Sequence, residues 1–203
     1  MSIGPNASGF TLARPLKKAC LGPRALNSDT STAARSGIGL HALFFIELGS
    51  RRVHFAGRTE HPTAEWVTQQ ARQMTWTLQD GQTSTRFLSH DRDAEFPARF
   101  DGVFATEGIE ILRTPYRTPI TNAFAERWVR SVREEVLDKL LIINQAHLPR
   151  VLTEYVAYFN QARPHQGIKQ RRPIPIERGE QSGALKRRDV LGGIIHNYDR
   201  DAA

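Results

Sequence analysis

The sequence has very little cysteine and no long apolar run. Its single cysteine, Cys20, can form neither an internal disulfide nor a cysteine-based zinc site. No stretch approaches the roughly 18 apolar residues of a membrane-spanning helix, and residues 1–13 lack the continuous apolar segment of a secretory signal. We therefore expect a cytoplasmic protein with no membrane partner.

Acidic residues are in the minority. The 203 residues include 28 Lys and Arg against 21 Asp and Glu, which gives a net charge of +7. The excess lies near the two ends, because residues 1–36 carry +4 and residues 161–188 carry +6, whereas residues 37–160 carry −1. Basic flanks favour a polyanionic partner such as nucleic acid, although solvated basic tails give the same composition.

Composition divides the chain into three segments. Residues 1–36 are rich in small and polar residues without a stable period, which predicts a poorly ordered basic N-terminal segment. Residues 37–170 carry the periodic patterns of a folded domain. Residues 171–203 contain Pro173, Pro175 and several glycines, which predicts a basic extended C-terminal tail.

Apolar periodicity within residues 37–170 predicts a hairpin, a β-α-β-α-β run and two final helices. This order indicates a mixed α/β domain with a central sheet. The predicted strands are 43–48, 51–57, 86–89 and 109–113, and the predicted helices are 64–78 (capped by Thr63), 96–107, 123–141 and 148–160.

Two acidic residues occupy positions that suit a site. Asp91 follows the strand 86–89, where a carboxylate either holds a metal ion over the sheet edge or caps the next helix. Glu126 lies about a quarter turn from the centre of its helix's apolar stripe, with Arg130 and Arg133 on the same side. These three residues form either an ordinary salt bridge or a metal ligand flanked by phosphate-binding arginines. The stripe consists of Ala125, Trp128, Val129, Val132, Val136 and Leu140.

These pieces resemble the integrase core domain of retroviral-type integrases and bacterial insertion-sequence transposases, the DDE superfamily. Asp91 has an aromatic residue five positions later, and Glu126 follows it at a spacing of 35 with Arg133 seven positions further on. Residues 158–165 (YFNQARPH) resemble the closing signature of these transposases, and residues 47–52 (ELGSRR) resemble their first hairpin. Each element is a weak signal by itself, but together they are in the expected order.

The resemblance implies an RNase H-like mixed sheet flanked by helices, with Asp91 and Glu126 as catalytic acids that bind Mg²⁺ or Mn²⁺. The implied activity is DNA cleavage and strand transfer during integration or transposition. The implied partners are DNA and further copies of the chain in a synaptic complex, in the bacterial cytoplasm at the nucleoid. The residues expected to bind nucleic acid are Arg130, Arg133, Arg163, Lys169, Arg171 and Arg172.

The first acid of the family pattern is the hardest to assign to a residue of this sequence. The family places an Asp on a strand directly before the hairpin, and the candidate here is Asp29. Because residues 22–28 do not resemble a strand, the sequence leaves open that the first strand of the fold has been lost and that this is a truncated, inactive copy. An active recombinase, a DNA-binding remnant and a non-catalytic basic interaction domain are the alternatives.

Overall fold

The computed structural model describes residues 9–13 (backbone), 41–80, 85–90, 96–113, 123–144, 146–175 and 183–200. Seven strands and four α-helices are found in these residues. The strands are β1 (Gly9–Ala13), β2 (His41–Glu47), β3 (Val53–Thr59), β4 (Phe87–His90), β5 (Glu110–Arg113), β6 (Leu185–Val190) and β7 (Ile195–Arg200). The helices are α1 (Ala64–Asp80), α2 (Ala98–Thr106), α3 (Ala123–Val132) and α4 (His147–Gln161).

The main sheet has five strands in the order β3-β2-β1-β4-β5. Strands β1, β2 and β3 are successively antiparallel, whereas β4 runs parallel to β1 and β5 runs parallel to β4. The sheet is therefore mixed, as predicted, and β1 is its central strand. In the described segments, no helix combines the length and apolar character needed to cross a bilayer.

Strand β1 is the main departure from the sequence prediction. The sequence predicts a poorly ordered segment over residues 1–36 and leaves open that the first strand of the fold has been lost. In the structure, Gly9–Ala13 forms that strand. It pairs with β2 on one side and with β4 on the other, so its backbone groups are satisfied by two neighbours. The strand is five residues long, and the alternation of Phe10 and Leu12 is too short to predict a strand within a segment that is otherwise rich in small and polar residues. Asp29 lies outside the described residues.

The core is built on both faces of β2, whose five central residues are buried. Phe44 packs with α3 and α4 on one face, where its ring lies 5.2 Å from that of Trp128. Phe45 belongs to the cluster on the other face, where its ring lies 5.9 Å from that of Phe104 on α2. Alternate residues of one strand thus join two layers of helices to the sheet.

The turn between β2 and β3 is fixed by Glu47. Its carboxylate accepts hydrogen bonds from Ser50 Oγ (2.5 Å) and from His54 Nε2 (2.9 Å). Burial raises the pKa of Glu47, but these hydrogen bonds and the charges of His54 and Arg52 outweigh it, so the pKa is lowered. The acid of the ELGSRR segment therefore organises the hairpin.

Helix α3 is shorter than its predicted range of 123–141. The α-helix ends at Val132 and continues as one π-helical turn over Arg133–Leu137. The predicted apolar stripe is nevertheless confirmed over most of its length, because Ala125, Trp128, Val132 and Val136 are all buried. A π-turn depends on local packing, and helical periodicity does not predict it.

The C-terminal residues also differ from the prediction. Residues 185–200, expected to be part of an extended tail, form the antiparallel hairpin β6–β7. Leu191, between the two strands, is buried in the α3–α4 cluster, and its N–H donates to Glu154 Oε1 on α4 at 2.6 Å. The hairpin is therefore attached to the domain. Its strands carry mostly exposed charged and polar residues, which give no apolar alternation to detect.

Candidate functional site

The predicted residues Glu126, Arg130 and Arg133 lie along one open groove beside α3. The helix packs against the central strand β1 and is amphipathic, so burial of Ala125 and Trp128 leaves these three side chains exposed. The groove has a volume of about 430 Å³ and is also lined by Glu134 and Asp138. Helical geometry thus places Glu126 and the two guanidinium groups on a common solvent-facing surface, which also carries the carboxylates of Glu134 and Asp138.

Glu126 is not committed to a structural role in the described part of the chain. It forms no hydrogen bond or ion pair there, so the simple salt bridge with Arg130 that the sequence allowed is not made. An exposed carboxylate between two arginines remains available to a ligand. Its role as a catalytic and metal-binding acid stays a prediction.

The other predicted acid, Asp91, lies outside the described residues, so its distance from Glu126 also stays a prediction. The strand end that precedes it is firmly held. His90 is buried and its Nε2 lies 2.8 Å from Asp101 Oδ1 on α2, while Asp101 also accepts a hydrogen bond from Arg113 Nε on β5 at 3.1 Å. The carboxyl end of β4 is therefore tied to a helix and to the neighbouring strand.

The central strand does not supply the first acid of the family pattern. Because β1 and β4 are parallel and Thr11 pairs with Ser89, Leu12 and Ala13 are the β1 residues at the carboxyl end of β4. The strand reads Gly-Phe-Thr-Leu-Ala and contains no acidic residue. The described residues also contain no group of three His, Cys, Asp or Glu side chains that could hold a metal ion. The described part therefore does not fit a three-carboxylate Mg²⁺ centre.

The side chain of Asn160, within the closing signature, forms hydrogen bonds with the backbone of strand β3. Its Oδ1 accepts from Val53 N–H at 2.9 Å and its Nδ2 donates to Val53 C=O at 2.8 Å. The side chain is buried and joins α4 to the start of β3. Both backbone groups of Val53 are thereby satisfied inside the core.

Arg163, in the same signature, forms a two-pronged ion pair with Glu135. Its Nη2 donates to Glu135 Oε1 at 2.6 Å and its Nε donates to Oε2 at 3.2 Å. Burial lowers the pKa of Arg163, but the hydrogen bonds and charge of Glu135 raise it above the ordinary value. Tyr155 also donates to Glu135, at 2.8 Å, and burial followed by the negative charge of Glu135 raises the pKa of Tyr155. The signature therefore stabilises the junction of α4 with the π-turn.

Residues 107–173 match the family model described as Integrase core domain. The match covers about a third of the chain and includes Glu126, Arg133 and the closing signature, whereas β1 and Asp91 lie outside it. No curated protein matches the chain. The chain is thus similar to integrase cores over the segment that forms α3 and α4.

Two retroviral structures are similar to this chain. One, a cryo-electron microscopy structure of the simian T-cell lymphotropic virus intasome in complex with the PP2A regulatory subunit B56 gamma, matches with a TM-score of 0.56 and 9% identity, covering 99% of this chain and 69% of that chain. The other, a crystal structure of the catalytic core domain of BIV integrase, matches with a TM-score of 0.49 and 18% identity, covering 66% of this chain and 83% of that chain. The first match, with the strand order described above, confirms the predicted RNase H-like fold class.

His165, the last residue of the integrase-type signature, is buried in a neutral form. Its Nε2 donates to the Phe159 carbonyl oxygen at 3.1 Å, and its Nδ1 faces Arg163 Nη1 at 3.4 Å. Burial lowers the pKa of His165 below its ordinary value of 6.5, and the charges of Arg163 and Arg51 lower it further, against the hydrogen bond to Phe159. The unfolded chain therefore binds this proton more tightly than the folded chain.

His165 should make the stability of the fold pH-dependent. Its contribution is fully present above pH 6.5 and is lost as the pH falls below that value, by up to about 1.4 kcal/mol per pH unit. Urea unfolding between pH 5 and pH 8 should show this decline, and His165→Gln should flatten it. The exposed next residue, Gln166, provides the control, because Gln166→Ala removes no titratable group and should leave the wild-type profile unchanged. A His165→Gln profile as steep as that of the wild type would contradict the prediction.

The remaining predicted DNA-binding residues fall into two groups. Arg172 pairs with Asp199 on β7 at 3.2 Å, and Arg163 is bound to Glu135 as described. Lys169 and Arg171 are exposed and form no ion pair in the described part of the chain. A role in DNA binding stays a prediction for all four, and the exposed pair is the better placed to contact a phosphate backbone.

Sequence patterns did not identify three charged residues that the structure places in this region. Glu135 is the acid that binds Arg163, and its position at the edge of the apolar stripe, about 20° from Trp128, is the signal that could have marked it as a partly buried partner. Arg51 and Arg127 come together from the β2–β3 turn and α3, and no sequence spacing indicates that approach.

Proposed function

We propose that this chain is a DNA-binding integrase-type core, derived from a protein that cleaves DNA and transfers strands in integration or transposition, and that this copy lacks the carboxylate set for that chemistry. The observation that carries the proposal is the central strand β1, which occupies the place between β2 and β4 yet contains no acid. The Integrase core domain match, the fold and the net charge of +7 support DNA as the partner.

We also propose more specific features of this function. They include an origin in a bacterial insertion sequence, ancestral Mg²⁺ or Mn²⁺ dependence through Asp91 and Glu126, and self-association on DNA. An active recombinase, in which Asp29 completes the site, is the second candidate. A basic interaction domain with no preference for DNA is the third, and the exposed arginines beside Glu126 argue for DNA over it.

A salt titration of DNA binding tests the proposal. The wild-type chain should bind double-stranded DNA with an affinity that falls linearly in log K against log salt concentration. The double variant Arg130→Gln, Arg133→Gln should lower the slope by about 1.8, because each lost phosphate contact contributes about 0.9. Fluorescence anisotropy of a labelled duplex between 50 and 250 mM salt measures both quantities.

A charge-matched double variant controls for general electrostatics. Arg99 on α2 and Arg150 on α4 are exposed and lie away from the groove, so Arg99→Gln with Arg150→Gln removes the same charge elsewhere. This control should keep most of the wild-type slope. Equal losses in the two double variants would favour the basic interaction domain, and absence of DNA binding by the wild type would overturn the proposal.

A further inference from the structure

A second pocket, of about 410 Å³, lies beside α3 and does not share residues with the groove of Glu126. The β2–β3 turn, α3 and the segment that follows α4 enclose it. Its charged and titratable lining residues in the described part are Arg51, Arg127, Arg163 and His165, with no acidic residue among its lining. It is therefore a concave site of one sign of charge.

Arg51 is held in a fixed position in this pocket. Its guanidinium carbon lies 3.8 Å from the centroid of the Phe124 ring, and its Nε lies 3.7 Å from the place that a Cβ on Gly167 would take. The side chain is thus sandwiched between an aromatic face and a glycine backbone. Arg51 also adopts a φ of 68°, a left-handed conformation that is strained for a residue other than glycine.

Two buried hydrogen-bond donors on pocket residues have no partner within the described segments. Arg51 Nη1 and Trp128 Nε1 are both buried, and neither has a hydrogen-bond acceptor in the described part of the chain. An unsatisfied buried donor costs about 1–3 kcal/mol, so two such donors on residues that line one cavity favour an acceptor bound there.

Two of the arginines in the pocket, Arg51 and Arg127, carry positive charge that no acid of the described segments neutralises. Burial lowers the pKa of Arg51, and the nearby charge of Arg127 lowers it further. Glu135, the acid that neutralises Arg163, is already bonded to that arginine and to Tyr155. Within the described residues, neither Arg51 nor Arg127 forms an ion pair. An anion in the pocket would relieve this repulsion.

We propose that this pocket binds a phosphate group of a DNA backbone, through Arg51 and Arg127 and with the hydroxyl of Ser131 on the same wall. Guanidinium groups and a hydroxyl are the donors that phosphate oxygens prefer, and a fixed arginine loses little entropy on binding. The assignment to DNA rests on the proposed function, whereas the affinity for phosphate does not. DNA would then contact α3 on two sides, at this pocket and at the groove of Glu126.

The probe is inorganic phosphate, and the reporter is the indole N–H signal of Trp128 in a proton–nitrogen correlation spectrum. The chain has three tryptophans, so Trp66→Phe and Trp76→Phe variants identify the signal by elimination. Phosphate should shift the Trp128 signal and leave the other two in place. Arg127→Gln, at an exposed helix position, should weaken this phosphate binding about tenfold or more, while Arg150→Gln should not change it.

The salt titration of DNA binding distinguishes a site for the phosphates of a DNA backbone from a site for free phosphate. In the salt titration, Arg127→Gln should lower the slope by about 0.9 relative to Arg150→Gln. A phosphate-dependent Trp128 shift without a change in slope would overturn the assignment to DNA and leave a site for free phosphate. If phosphate did not shift the Trp128 signal and Arg127→Gln did not change the slope, although the wild type bound DNA, the proposed phosphate site would be overturned. If the wild type bound no DNA, the proposed function would fail, and the phosphate arm would still decide the pocket.

Discussion

The purified chain should not nick supercoiled DNA with Mg²⁺ or Mn²⁺ above the level of an Asp91→Asn variant. Two-metal phosphodiester cleavage needs carboxylates around both ions. The resemblance implies three, and the central strand β1, where the first belongs, carries none. Residues of a catalytic set act as a unit, so that loss of one member costs on the order of 10⁴-fold or more.

Three variants make this assay decisive. Asp91→Asn and Glu126→Gln should give the same background conversion to nicked circles as the wild type, with either metal ion. Asp29→Asn addresses the one acidic residue that precedes Glu47 in the sequence. Metal-dependent nicking that disappears in both Asp91→Asn and Asp29→Asn would show that Asp29 completes the site and that the chain is a working recombinase.

Replacement of Asn160 by alanine should destabilise the fold by about 2–4 kcal/mol. The change removes two buried hydrogen bonds and leaves the N–H and C=O of Val53 without partners in the core. Gln161→Ala, at the exposed next position of α4, is the matched control and should change the stability by less than about 0.5 kcal/mol. Urea unfolding at pH 7 measures both values, and similar losses in the two variants would count against the role assigned to Asn160.

An Asn160→Asp variant separates hydrogen bonding from the mere presence of a side chain. An ionised carboxylate can accept from Val53 N–H but cannot donate to Val53 C=O, whereas a protonated carboxyl can do both. Burial beside the carbonyl raises the folded pKa of this acid above its unfolded value, near 3.9. The stability of Asn160→Asp should therefore fall, relative to Asn160→Ala, as the pH rises through that value. A constant difference between pH 3 and pH 7 would contradict the paired geometry.

The elements that the sequence predicted well are those with a strong local pattern. The continuous apolar run around Phe44 predicted a strand buried on both faces, and the structure has one. Thr63 was predicted to cap α1, and its Oγ1 accepts from Trp66 N–H at 3.2 Å. The position of Glu126 relative to Arg130 and Arg133 followed from helical geometry alone. In each case the information lies within a few residues.

The elements that the sequence did not predict depend on distant partners. Strand β1 is specified by two neighbouring strands, one of them paired through Gly9 and Phe87. The hairpin β6–β7 is held against α4 by Leu191 and is also joined to Arg172 through Asp199. The approach of Arg51 to Arg127 and of Arg163 to Glu135 requires the complete fold. Local periodicity cannot contain such contacts.

The central position of β1 also constrains the order in which a nascent chain can fold. The hairpin β2–β3 is local and can form early, but one edge of β1 stays open until β4 has been synthesised, some 70 residues later. The apolar face around Phe44 likewise stays uncovered until α4 and its Asn160 are present. Ribosome-bound intermediates of this chain must therefore carry an open strand edge and an exposed apolar face, the two features that recruit chaperones and promote aggregation.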